Sequence, residues 1–251
     1  MKAMNSLKSI WEHLCETPIV LLLSLLAIVP FVFPGLGNFF EFQFADISLS
    51  NAHGVVSCNW LHWSASHLFW DLLMFYIVGR LCELSDRKAF IAVLLLSAPF
   101  IPLAIQIACP ELGSYRGLSG IDTALFALLG TCRLRESILK NDYQGVMVYG
   151  LLLAAMFLKI LYETITHDVL FADKSTFTPV ALAHLTGSLI GIGVASSPVI
   201  QAELREQPGG STLAEPRKRP GGSTLAELRE QPGDTVTKST RPECQSITTT
   251  S

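Results

Sequence analysis

Two short stretches carry residue types suited to acyl transfer. In YRGLSGIDTALF, residues 115–126, Ser119 stands between Gly117 and Gly120 with an apolar run behind it. In LAHLTG, His184 is followed by Gly187, Ser188 and Gly191. A serine hydroxyl and a base suffice for nucleophilic catalysis if they meet. Gly117 lets the chain turn in from a loop. Ser119 then falls at a helix N-terminus, where unpaired backbone N–H groups and the positive end of the helix dipole would face an oxyanion. A third stretch, HWSASHLFWD, adds His62, His67 and Asp71. His67 and Asp71 are four apart and share a helix face. Taken singly, each has a plainer reading: a serine between glycines packs helices, and a lone histidine satisfies a helix–helix hydrogen bond.

These residues lie in a chain built for a bilayer. Of 251 residues, half are hydrophobic and 16% are charged, and mean hydropathy is +0.43. The net charge of -3 gives nucleic-acid binding no electrostatic support. The six cysteines form no CxxC pair and no metal-ligand spacing. Six stretches approach the roughly 20 apolar residues a spanning helix needs: about Pro18–Pro34, Ala65–Cys82, Phe90–Cys109, Ser119–Cys132, Val146–Tyr162 and Pro179–Pro198. The first also fits a signal-peptide core behind Lys2 and Lys8, but bulky residues follow it instead of a cleavage site. The fourth extends further if Asp122 faces the protein.

Basic residues alternate between the connections. Lys2 and Lys8 precede the first stretch; Arg80, Arg87 and Lys88 follow the second; Arg133, Arg135 and Lys140 follow the fourth. Loop 35–61 has none, loop 110–118 only Arg116 and loop 163–178 only Lys174. The positive-inside rule then puts both termini in the cytoplasm and those three loops outside. The chemistry-bearing residues fall at the outward ends of their stretches, a convergence that simple packing does not require. Gly120, Ala124 and Ala127 offer a small-residue face to match Gly187 and Gly191, so the two helices can approach closely. Lys159 and Glu163, near the outer end of the fifth stretch, can snorkel. The chain thus divides into a cytoplasmic N-terminus, 1–17, a six-helix membrane domain, 18–198, and a tail, 199–251. The tail repeats a Pro/Gly-rich 12-residue unit and is expected to be disordered.

Together these motifs resemble the rhomboid intramembrane serine proteases over about residues 15–198. HWSASHLFWDLLMFYIVGRLCE is similar to the family's second helix, GLSGIDTALF to its GxSG helix and AHLTGSLIG to its sixth. YRGLSG also resembles bacterial rhombosortase-like members. The resemblance implies an all-α, six-transmembrane-helix bundle with Ser119 as nucleophile and His184 as base. It implies oxyanion or support roles for His67, Asp71, His62, Gly117 and Gly120. It also implies substrates with one transmembrane segment, cut beside small residues where the helix unwinds, and no cofactor. Loop 35–61, with NFFEFQF and NWLHW, resembles the family's first outer loop, which lies partly in the membrane surface. An integral protein of the bacterial cytoplasmic membrane fits this picture.

One position departs. The family carries asparagine, an oxyanion donor, where this chain has Asp71, and an ionised carboxylate only accepts. Asp71 must be protonated, paired with His67 as a cation, or turned away. The departure leaves room for a catalytically inactive relative that holds membrane clients. A proton-relay transporter would instead spread its polar residues through the bilayer's depth.

By the charge pattern only Cys58 and Cys109 face outward, the one pair able to form a disulfide if that side is oxidising. A membrane-impermeant thiol reagent applied to sealed cells should leave Cys82 and Cys244 unmodified. Labelling of either would reverse the orientation.

Overall fold

The computed structural model describes residues 16–45, 51–166, 181–198 and 200. The repeat tail, the first fifteen residues and positions 167–180 lie outside the described residues. Helix α1 (Pro18–Val32) begins with proline, whose missing N–H costs nothing in a first turn. A 114° bend separates it from α2 (Pro34–Phe40). Strand β1 (Phe42–Gln43), helix α3 (Gly54–Ser57) and a 3-10 turn (Cys58–Trp60) follow. Helix α4 (Ala65–Met74) passes through a π-helical turn (Phe75–Gly79) into α5 (Arg80–Ser85), so residues 65–85 form one rod. Then come α6 (Arg87–Ala108), a 3-10 turn (Pro110–Leu112) and strand β2 (Ser114–Tyr115). The last three helices are α7 (Ser119–Leu139), α8 (Tyr143–Thr166) and α9 (Ala181–Ala195).

Helices thus occupy all six apolar stretches. By length and apolarity alone, α6 and α8 can cross a bilayer, and α1 with α2 makes a third if the bent pair is one span. Helix α7 is 21 residues long, about 31 Å at 1.5 Å per residue, but it carries Asp122, Arg133, Arg135 and Glu136. Helix α9 is apolar and 15 residues long. The outer surface is that of a helical membrane protein. Only 11% of the apolar window of α8 is buried, and Leu95, Leu151, Leu158 and Leu189 are exposed. Water would not tolerate a patch of that extent uncovered.

The helix starts have local causes. Ser64 Oγ accepts the His67 N–H at 3.2 Å and caps α4. Asp86 Oδ1 accepts the N–H groups of Lys88 and Ala89 at 2.9 and 3.0 Å, which separates α6 from the rod before it. Basic residues gather at one end of the bundle. Arg80 donates to Thr17 Oγ1 and Glu16, Arg87 to the Glu16 carbonyl, Arg133 to Ser85 and Arg135 to the Ala195 carbonyl. These contacts join the residues before α1 to the starts of α5 and α6, the end of α5 to α7, and α7 to the end of α9. Within this end, the buried Glu83 carboxylate accepts the Val20 N–H at 3.0 Å and the Ile19 N–H at 3.3 Å. It thereby occupies the unpaired donors of α1's first turn. Gly79 leaves room for Val20, whose Cγ2 would stand 3.2 Å from an added Cβ.

Strands β1 and β2 pair antiparallel, Phe42 with Tyr115 and Gln43 with Ser114. This ties the first loop to the segment entering α7. Arg116 strengthens the tie: its guanidinium bonds Glu41 at 2.8 Å and lies 4.3 Å over the Trp63 ring. Cys58 and Cys109 are both free thiols, and Cys58 is fully buried, so the expected outward pair is not bridged.

Helix α7 is central, with Leu118, Ile121 and Leu125 fully buried beside Phe75, Phe90 and Ile101. It meets α9 through the anticipated small faces. A Cβ on Gly187 would strike the Gly120 carbonyl, and one on Gly191 the Ala124 carbonyl. The obstacle is backbone on both sides, so no rotamer change can relieve it. Gly187→Val should therefore cost at least about 1–3 kcal/mol by overpacking, read as a lower Tm in detergent. Gly193→Val, where nothing lies within 4 Å, should leave Tm nearly unchanged.

Candidate active site

The α7–α9 contact places the two candidate side chains, Ser119 and His184. Gly120 follows Ser119, Ala183 precedes His184, and a Cβ on Gly120 would stand 3.2 Å from the Ala183 carbonyl. Ser119 and His184 are thus each one residue from a touching pair. Ser119 begins the helix. The first bond internal to this helix runs from the Asp122 N–H to the Leu118 carbonyl at 2.9 Å. The N–H groups of Ser119, Gly120 and Ile121 therefore have no acceptor within the helix.

Gly117 shapes the approach to the serine. Its φ of +135° lies where side chains are rarely tolerated. A Cβ there would come within 2.9 Å of both Cε1 and Nε2 of His67. Its N–H donates to the Cys58 carbonyl at 3.4 Å, and the Tyr115 hydroxyl donates to its carbonyl at 3.1 Å. Tyr115 also shares a side-chain hydrogen bond with Ser119. Burial holds the Tyr115 phenol well above its usual range, so it remains a neutral donor.

Asp71 organises the opposite wall. Its Oδ2 accepts the Leu118 N–H at 2.9 Å and stands 3.2 Å from Nε2 of both His62 and His67. The carboxyl group is not turned away: it is paired. A backbone N–H can only donate, so Oδ2 is an acceptor. Burial lowers the His62 pKa from its ordinary value against the opposing pull of Asp71, which favours the neutral ring. Its Nε2–H then points to the carboxylate. Asp122, one turn beyond Ser119, is 5% exposed and so faces the protein interior as expected.

His184 has a partner that the sequence reading missed. His184 Nδ1 lies 2.7 Å from Glu163 Oε2, and Lys159 Nζ lies 2.6 Å from Glu163 Oε1. The Glu163 side chain is fully buried, while Lys159 keeps partial exposure. The reading that Glu163 can snorkel is therefore corrected. Its carboxylate turns inward because a cation and a ring N–H offer what a headgroup region would otherwise supply. The signal was present in the chain: Lys159 and Glu163, four apart, are the only residues from Val146 to Glu163 that carry a charge at neutral pH. Tyr115 carried no such signal.

Residues 50–197 match the Rhomboid domain, more than half of the chain, and the chain belongs to the rhomboid family. A comparison with curated proteins gives no match.

The Asp71 geometry separates two variants. Asp71→Asn keeps an oxygen for the Leu118 N–H and supplies a donor. Its Tm should stay near that of the wild type, and cleavage of a transmembrane substrate should be equal or faster. Asp71→Ala strands a buried N–H and should cost about 1–3 kcal/mol. A large activity loss in a well-folded Asp71→Asn protein would show that the carboxylate itself is required.

Proposed function

We propose that the protein is an intramembrane serine protease that cuts other membrane proteins in or beside their transmembrane segments. The observation that carries this reading is the glycine-backed contact that brings the start of α7 and its Ser119 alongside the His184 turn of α9. In the proposed reaction the Ser119 hydroxyl gives its proton to His184 Nε2 as Oγ bonds the scissile carbonyl carbon. The tetrahedral oxyanion faces the Ser119 N–H, with His67 as side-chain support. His184 then returns the proton to the departing amide nitrogen as the C–N bond breaks. Water, deprotonated by the same histidine, hydrolyses the acyl-enzyme and frees Ser119.

The basic-residue alternation supports six spans, both termini in the cytoplasm and a site near the outer face. A bacterial cytoplasmic membrane is the proposed location. Substrates with a single transmembrane segment are proposed from the family's habit. They would enter as locally unwound chain, with small residues beside the scissile bond.

A second reading is favoured by Asp71. A carboxylate where the oxyanion is expected opposes its formation, which suits an inactive relative that binds membrane clients. The two readings part in one experiment. A fluorophosphonate should label the wild-type protein at Ser119, and Ser119→Ala should abolish both labelling and cleavage while leaving Tm intact. A wild-type protein that binds transmembrane peptides without labelling or cutting is the inactive relative.

A further inference from the structure

We infer that Glu163 is a positioning residue that completes a Ser119–His184–Glu163 triad, with Lys159 holding the carboxylate in place. The inference rests on the protease reading, and it adds a third member to what the motifs show as a serine–histidine pair.

The geometry carries it. Glu163 sits on α8 and His184 on α9, so their 2.7 Å contact crosses between two helices. The carboxylate is fully buried. A buried carboxylate is costly unless each oxygen is satisfied. Oε1 takes Lys159 at 2.6 Å, which leaves Oε2 for the ring. A carboxylate only accepts, so His184 must donate through Nδ1–H. The neutral ring then carries its lone pair on Nε2, the nitrogen that remains for Ser119. As Nε2 gains the serine proton, the adjacent carboxylate stabilises the new imidazolium without itself taking a proton, the logic of an acid–base–nucleophile triad. Lys159 also approaches Nδ1, at 3.4 Å. If the lysine rather than the carboxylate governed that nitrogen, Nδ1 would be the acceptor and Nε2 would carry the hydrogen. A ring in that state cannot receive the serine proton. The two arrangements give opposite tautomers, which makes the inference measurable apart from activity.

The test uses full-length protein in detergent micelles with 15N-labelled histidine. The His184 resonances, assigned by comparison with His184→Gln, should show the Nδ1–H tautomer in the wild type. They should show a mixed or reversed tautomer in Glu163→Gln, whose amide can either donate or accept. On one transmembrane substrate, Glu163→Gln should lower kcat on the order of 10²–10⁴-fold, with KM within about three-fold. Lys159→Met removes the clamp but leaves the acceptor, and should cost roughly ten-fold. If the pair only holds helices together, both variants should lower Tm alike, with no ordering in kcat. An Nε2–H tautomer in the wild type, or an unchanged kcat in Glu163→Gln, overturns the inference. Should Glu163→Gln fail to fold, the wild-type tautomer and the Lys159→Met rate still decide it. Absence of fluorophosphonate labelling in the wild type would instead sink the protease reading, while the tautomer in the same sample would still report whether Glu163 orients His184.

Discussion

The approach of α7 to α9 governs the rest of the site. Gly187 and Gly191 set the backbone of α9 against the carbonyls of Gly120 and Ala124. At that separation there is no room for a side chain between the helices. Residues on the two flanks of the contact are consequently held by backbone instead of by flexible side chains. Ser119 and His184 occupy such flanking positions, each next to a member of the Gly120–Ala183 contact. In a bilayer, lipid tails are as apolar as leucine, so helices gain little by hiding hydrophobic groups from one another. Close packing of small residues is then the main source of association. The same contact that stabilises the bundle therefore sets the spacing of the proposed nucleophile and base.

Buried carboxylates form the second layer of organisation, each answering a defined set of donors. Glu83 receives the first-turn N–H groups of α1. Asp71 receives the Leu118 N–H and faces two imidazoles. Glu163 receives Lys159 and His184. Each joins segments distant in sequence, because a charge inside the bundle must find its partners on neighbouring elements. Asp71 has a particular consequence. By accepting the Leu118 N–H it pins the residue before the serine, which leaves the Ser119 N–H as the next donor along the chain. The first outer loop adds a third brace: the β1–β2 pairing and the Arg116–Glu41 bond hold the approach to α7 from outside the helices.

Much of this was legible in the residues. Apolar runs and their interruptions located a helix in each of the six stretches, because helices that face lipid or the core are apolar over most of their length. The spacing of Gly187 and Gly191, and of Gly120 and Ala124, marked the two faces that meet, while Ala127 packs with Met156 and Ile160 of α8. Gly117 before Ser119 marked a turn into a helix, and the structure supplies its positive φ. Less could be read of pairings across elements. Nothing in HWSASHLFWD says that Asp71 would reach the Leu118 N–H, and the Lys159–Glu163 spacing marks an ion pair without saying that it faces His184.

The sequence by itself determined the class of molecule, the order of its helices and the residue types available for chemistry, since hydropathy and small-residue spacing act locally along the chain. Tertiary structure decided which polar groups answer one another. Local rules allowed Glu163 to snorkel and Asp71 to turn away. Packing removed both options, because each carboxylate meets an imidazole and a second donor, Lys159 for Glu163 and the Leu118 N–H for Asp71. Partner choice depends on distances between helices, and only the folded bundle sets those distances.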